Sequence, residues 1–164
     1  MHNYILKSKL GTTIQINSVR VYEDFDIVVG EDGRAAIYTK GGQSYSYLPD
    51  AINSAGCTVT LEDCIYFQSI SENQSLISNT FHNIIVISSD GVIAKYTSVL
   101  DSKTQKLNSD IIWQYEILKE SSECYYTIIN YQNNNLEIAT EFNGDIALEL
   151  KEGDRKFTLA ACRS

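Results

Sequence analysis

The chain has 164 residues, 43% of them hydrophobic, with a formal net charge of −8. That is enough apolar material for one domain with a buried core and too much for a disordered chain. The acidic balance argues against nucleic acid as a partner, because phosphate contacts need a basic stripe.

Eleven tyrosines with one proline and nine glycines favour strands. In chain order, strands are predicted at Tyr4 to Lys7, with two further extended segments at Thr12 to Asn17 and Val19 to Glu23. Asp26 to Val29 and Ala35 to Thr39 follow, joined by an Asp32-Gly33 turn. Pro49 to Ala55 is the one predicted helix, with proline in its first turn and Gly56 placed as its end cap. Cys57 to Leu61 and Ile65 to Ile70 are strands, and 71–79 is a loop. Ile84 to Ser88 and Val92 to Ser98 flank Asp90-Gly91, 102–109 is a loop, and Ile111 to Leu118 is a strand. Last come Tyr125 to Asn130, Leu136 to Thr140, the Asn143-Gly144 turn with its strand to Leu150, and Arg155 to Ala161.

Three of these pairs are one hairpin written three times. Asp26–Tyr38, Asn83–Tyr96 and Leu136–Leu148 each place Asp-Gly or Asn-Gly between apolar strands. These dipeptides suit the left-handed dihedrals of a tight hairpin turn. Gly33, Gly91 and Gly144 stand 58 and 53 residues apart, close to a third of the chain. Cys64–Ile70 matches Cys124–Ile129 at a similar offset. The expected units are 2–63, 64–123 and 124–164 of a single β domain.

Four short strands per unit, with an aromatic early in the last, resemble a repeat of the β-trefoil superfamily, most clearly over 125–161. The resemblance implies an all-β pseudo-threefold barrel, with Trp113 and Phe157 at equivalent places. The expected core is Ile5, Val28, Ile37, Leu61, Tyr66, Ile85, Ile93, Trp113, Tyr115, Ile128, Leu136, Ile146, Leu148 and Phe157. Trefoil lectins of the ricin kind carry Gln-x-Trp in each repeat. Here Trp113-Gln114 reverses that order and occurs once. The alternative architecture is a small four-bladed β-propeller with units of roughly 40 residues.

The first residues hold no apolar run of signal-peptide length, since Lys7 and Lys9 interrupt it, and no stretch is long enough for a membrane span. A cytoplasmic location is expected, with Cys57, Cys64, Cys124 and Cys162 reduced and mostly buried. His2 and His82 are not clustered with the cysteines, so no metal site or cofactor is expected. Glu23-Asp24 and Glu62-Asp63 are expected to be charged turns rather than an acid/base pair.

Residues 110–154 hold ten acids against Lys119 and Lys151, so the rest of the chain is neutral overall. An acidic face speeds encounter with a basic protein. The profile is similar to that of immunity proteins for bacterial nuclease toxins, which are small, acidic and without a leader. That similarity implies a non-enzymatic inhibitor covering the cationic active site of a basic toxin. The expected partner-binding residues are Glu116, Glu120, Glu123, Glu137, Glu141, Asp145 and Glu149. A trefoil lectin using Tyr45, Tyr47 or Tyr131 beside Asn133, Asn134 and Asn135 is the alternative, and a protease inhibitor a third. Oligomeric state is not legible in the sequence.

Overall fold

A computed structural model of the chain describes residues 3–40, 44–72, 78–98, 111–122, 124–132, 135–136, 146–152 and 155–161. Every regular element among them is a β-strand. A short hairpin of β1 (Leu6–Lys7) and β2 (Thr13–Ile14) comes first. The first sheet is a meander of β3 (Ile16–Val21), β4 (Phe25–Gly30), β5 (Ala35–Thr39) and β6 (Tyr45–Tyr47). The second is a meander of β7 (Leu61–Glu72), β8 (Ser78–Ser88), β9 (Val92–Ser98) and β10 (Trp113–Glu120). The third joins β11 (Tyr125–Gln132), β12 (Asn135–Leu136), β13 (Ile146–Glu152) and β14 (Arg155–Ala161) in the order β12-β11-β14-β13. Pairing is antiparallel throughout, and none of these sheets closes into a barrel.

Two of the three turns fall where Asp-Gly places them. Asp32 and Gly33 have φ of 55° and 65° and join β4 to β5, while Gly91, at φ 85°, joins β8 to β9. Two consecutive positive φ values are what a type I′ hairpin turn needs. Asn143 and Gly144 lie outside the described residues.

Side-chain alternation then stacks the sheets. Ile27, Val29, Ala35 and Ile37 of the first sheet meet Ile84, Val86, Ala94 and Tyr96 of the second, with Leu48, Ala51 and Val59 from the connection between them. The other face of the second sheet, through Ile65, Phe67, Ile85, Ile87 and Ile93, meets Tyr125 and Ile128 of β11. The other face of the first, through Val28, Ala36 and Tyr38, is covered by Leu6. The central strands are therefore buried on both sides, which is why Ile84–Ile87 reads as an unbroken apolar run. Each such side chain stabilises the stack by roughly 1.5–3 kcal/mol.

Several expectations are corrected. Residues 49–55 form no helix but a hook: Asn53 N–H donates to Cys57 O, and the Asn53 side-chain oxygen accepts from Ala55 N–H and Cys57 N–H. That local capture by asparagine outcompetes a helix opened by proline. Cys57 to Thr60 is no strand, and Leu61 instead opens β7. Ser71–Glu72 and Ser78–Asn79 extend β7 and β8 into the expected loop. Tyr4 to Lys7 does not open the first sheet, because β3 does. Ile5 is 46% exposed, since Leu6 beside it takes the inward position. Val28, Ile37, Leu61, Ile85, Ile93 and Ile128 are buried, and Tyr66, Trp113 and Tyr115 pack partly buried. Only the backbone is described for Leu136, Ile146, Leu148 and Phe157. Trp113 lies in β10, which pairs with β9 alone among the described strands. Phe157 lies in β14, between β11 and β13.

Candidate functional site

The first strand of each sheet carries a bulge near its start: between Ile16 and Ser18 in β3, Leu61 and Asp63 in β7, and Tyr125 and Thr127 in β11. A bulge re-aims the side chain that follows it. Here all three aim at one point. The Asp63 carboxylate accepts from Ser18 Oγ (2.9 Å), Arg20 Nε (2.9 Å), an Arg20 terminal nitrogen (2.6 Å) and Thr127 Oγ1 (3.1 Å). It also accepts from the main-chain N–H of Cys64 (2.8 Å) and Ile128 (2.9 Å). Arg20 completes the joint by donating to Ile128 O at 3.0 Å.

A buried charge persists only when paired and hydrogen-bonded, and this one is. With six donors and almost no exposure, Asp63 has no lone pair for a substrate. It is a joint between three sheets, not a charged turn. Burial pushes the adjacent Cys64 thiol well above its ordinary range, with Asp63 adding to the shift, so it is no nucleophile. Glu23 and Asp24 are exposed in the β3–β4 connection, as a charged turn should be.

Acids gather elsewhere, at one end of the stack. Glu31 follows β4, Glu62 is the second residue of β7 and Asp90 sits in the β8–β9 turn. The Glu62 carboxyl is raised above its usual range, first by burial and then by the charges of Asp90 and Glu31, against a hydrogen bond from Ser89. Asp90 also accepts from Thr60 N–H at 2.7 Å. At the same end, Ser121 N–H donates to Gly91 O at 2.9 Å, which brings the end of β10 alongside. Glu31 and Asp90 were readable as acids beside repeated hairpin turns; that they would converge with Glu62 was not, because only the folded arrangement of the sheets places them near it.

Of the predicted partner-binding residues, Glu116 and Glu120 are exposed on β10. Glu116 stands opposite Lys95 in the ladder. Glu120 accepts from Ser54 N–H at 3.0 Å and is held below its usual range by bonds from Ser54, so it pins the hook as well. Glu149 lies in β13, where the backbone alone is described. Glu123, Glu137, Glu141 and Asp145 lie outside the described residues.

The aromatic candidates are largely committed within the fold. Tyr45 is half exposed and stacks on Tyr38. Tyr47 receives Lys7 N–H on its hydroxyl and the Arg34 guanidinium on its ring. Tyr131 pairs with Leu136 and Lys156 in the β11 ladders, Asn135 begins β12, and Asn133 and Asn134 lie outside the described residues. His82 is buried, with Nδ1 2.7 Å from the Tyr66 hydroxyl; His2 lies outside the described residues.

Among the described residues no group of three or more His, Cys, Asp or Glu is placed to hold a metal ion, and no helix is long and apolar enough to cross a membrane. Cys57 and Cys64 are free, Cys57 exposed and Cys64 buried, whereas Cys124 is disulfide-bonded. The Cys124 disulfide corrects the expectation that the cysteines are reduced, and the exposure of Cys57 departs from the expectation that they are mostly buried; Cys162 lies outside the described residues. Compared with family models, curated proteins and solved structures, the chain finds no match in any of the three.

Proposed function

We propose that this chain is a non-enzymatic binding module, an acidic inhibitor of the immunity-protein kind that neutralises a basic protein such as a nuclease toxin. The observation that carries the reading is the concentration of acid: ten acidic residues against two basic ones over 110–154. Glu31, Glu62 and Asp90, which lie near one another at the end of the stack, add to it as further carboxylates that a cationic partner meets. A nuclease must carry Lys or Arg to hold phosphate, and a carboxylate surface meets the same groups. The reading places the protein in the cytoplasm beside its target, without a cofactor, although the Cys124 disulfide is of a kind rare in that reducing compartment.

For the architecture, we propose that the three sheets are successive units of one repeat. The three bulges meeting at Asp63 support a threefold scheme like that of the trefoil reading. The four-stranded meanders packed face to face support blade-like units, as in the propeller alternative. Lectin and protease-inhibitor readings draw no comparable support, because Tyr47 is already engaged by Arg34 and Lys7.

The experiment is co-expression with a basic protein encoded beside this chain. The expected result is a complex that forms at low salt, weakens as salt rises and abolishes the partner's nuclease activity. Binding on a glycan array with no protein partner would replace this reading with the lectin.

A further inference from the structure

The segment 4–9 lies across the outer face of the first sheet and is held there in an unusual way. Ile5 N–H donates to the Tyr38 hydroxyl at 3.0 Å, and the same hydroxyl donates to Ile5 O at 2.5 Å. Lys7 N–H donates to the Tyr47 hydroxyl at 3.0 Å, and Arg34 Nε donates to Lys7 O at 2.8 Å. Arg34 is fixed in turn by Asp50 at 2.9 Å and by lying 3.8 Å above the Tyr47 ring. At positions 5 and 7 the first sheet holds the main chain, while Leu6 and Lys7 also pair with Ile14 and Thr13 of β2. At position 6 the first sheet reads a side chain, since Leu6 is fully buried against Val28, Ala36 and Tyr38.

Two carboxylates extend the seat. Asp26, itself buried, accepts from the Tyr4 hydroxyl at 2.6 Å, and Asp50 pairs with Lys9 at 3.0 Å. Gly30 leaves the room for this. A Cβ there would come 3.0 Å from Leu6 and would overlap the Gln15 carbonyl.

Main-chain bonds at alternate residues with a pocket between them are how extended peptides are recognised. We propose that this face of the first sheet is a peptide-binding site filled at rest by the chain's own residues 4–9. Its second occupant is an extended segment of a partner polypeptide. That segment carries a hydroxyl-bearing side chain two residues before a leucine and a basic one three residues after it. Asp26 and Asp50 select those ends by charge and hydrogen bonding, and Leu6 marks the pocket. The site lies on the first sheet and does not rest on the acidic-inhibitor reading.

The resident strap competes with any partner because its tether gives it a high effective concentration. The test is fluorescence anisotropy with a labelled synthetic peptide of residues 3–9, added to the full chain and to its Leu6→Ala variant. The variant should bind at least about tenfold more tightly than the unaltered chain, because its seat is vacated more often. A peptide with aspartate in place of leucine should not bind, and Tyr38→Phe in the protein should weaken binding. No binding to a Leu6→Ala chain that melts cooperatively would overturn the proposal.

Should that variant fail to fold, a protease site inserted between Leu10, which is 94% exposed, and Gly11 gives the second route. After cutting, the strap should exchange with labelled peptide. Loss of the strap without peptide taking its place would overturn the site. A dimer of the uncut chain that dissociates on cutting would give the seat to a second copy and overturn the partner reading.

Discussion

The strap at 4–7 and the hook at 49–58 are two irregular segments held by one device. Tyr38 clamps the N–H and carbonyl of Ile5; Tyr115 clamps the N–H and carbonyl of Ile52, at 3.1 and 2.7 Å. Each has a second tyrosine, Tyr47 on Lys7 and Tyr96 on Pro49 O. Each depends on a glycine where a Cβ would strike main chain, Gly30 against Gln15 and Gly33 against Ala51. They differ in what they cover and in what holds their ends. The hook lies between β6 and β7 and contributes Ala51 to the core between two sheets, with Val59 just beyond it. The strap contributes Leu6 to a smaller cluster, pairs with β2 and packs on one face of the first sheet. A tyrosine clamp on a doubly anchored segment is structural; the same clamp on a singly covered face leaves a seat that can be refilled.

Both clamps need the sheets to be in place, so the largest effect should come from the joint they share. Asp63→Ala leaves Arg20 and the Ile128 N–H without their acceptor. It should cost about 4 kcal/mol in urea unfolding and loosen strap and hook together. If only one segment loosens, the sheets are not joined there. Tyr115→Phe should cost about 2 kcal/mol in global stability, because Ile52 N–H and O lose their partner beside the core. Tyr38→Phe removes the same chemistry from the strap and should cost about 1 kcal/mol, with the loss appearing as faster proteolysis near Lys9 rather than a lower midpoint. Equal global costs would erase the distinction.

The smallest effect is on pH. The Tyr4 hydroxyl is pushed up to about 12, chiefly by its bond to Asp26 and then by burial. A raised value in the folded chain means that its contribution is complete below the ordinary tyrosine value of 10.0 and is lost as pH rises through about 12. Strap cleavage should therefore accelerate across that alkaline window, and Tyr4→Phe should remove Tyr4's share of the dependence.

These features were unequally legible in the sequence. The Asp-Gly hairpins were readable because turn chemistry is local, and Gly33 and Gly91 sit where it places them. The β3 to β6 meander was misread at its start, since Tyr4–Lys7 and Ile16–Val21 look alike as apolar strands and only packing decides which joins the sheet. The hook was hidden by Pro49 and by the Asn53 side-chain bonds, whose effect a helix pattern does not register. Asp63 was the harder miss. Asp63 stands beside Glu62 at the head of the apolar run 64–67, which reads as a charged turn, while its partner Arg20 is 43 residues away and Ser18 and Thr127 follow bulges that leave no mark in the sequence. The acids of 110–154 are plain in composition, whereas Glu62 joined Asp90 and Glu31 only through the fold.

If the acidic surface steers a basic partner, the association rate is where that steering shows. Stopped-flow mixing with the co-encoded basic protein should compare the unaltered chain with a Glu116→Lys, Glu123→Lys, Glu149→Lys variant, which spares Glu120 because it holds Ser54. The variant should associate at least about tenfold more slowly at low salt, with the gap closing as ionic strength rises, and its melting midpoint should be unchanged. Equal rates at every ionic strength would contradict steering by the acidic surface.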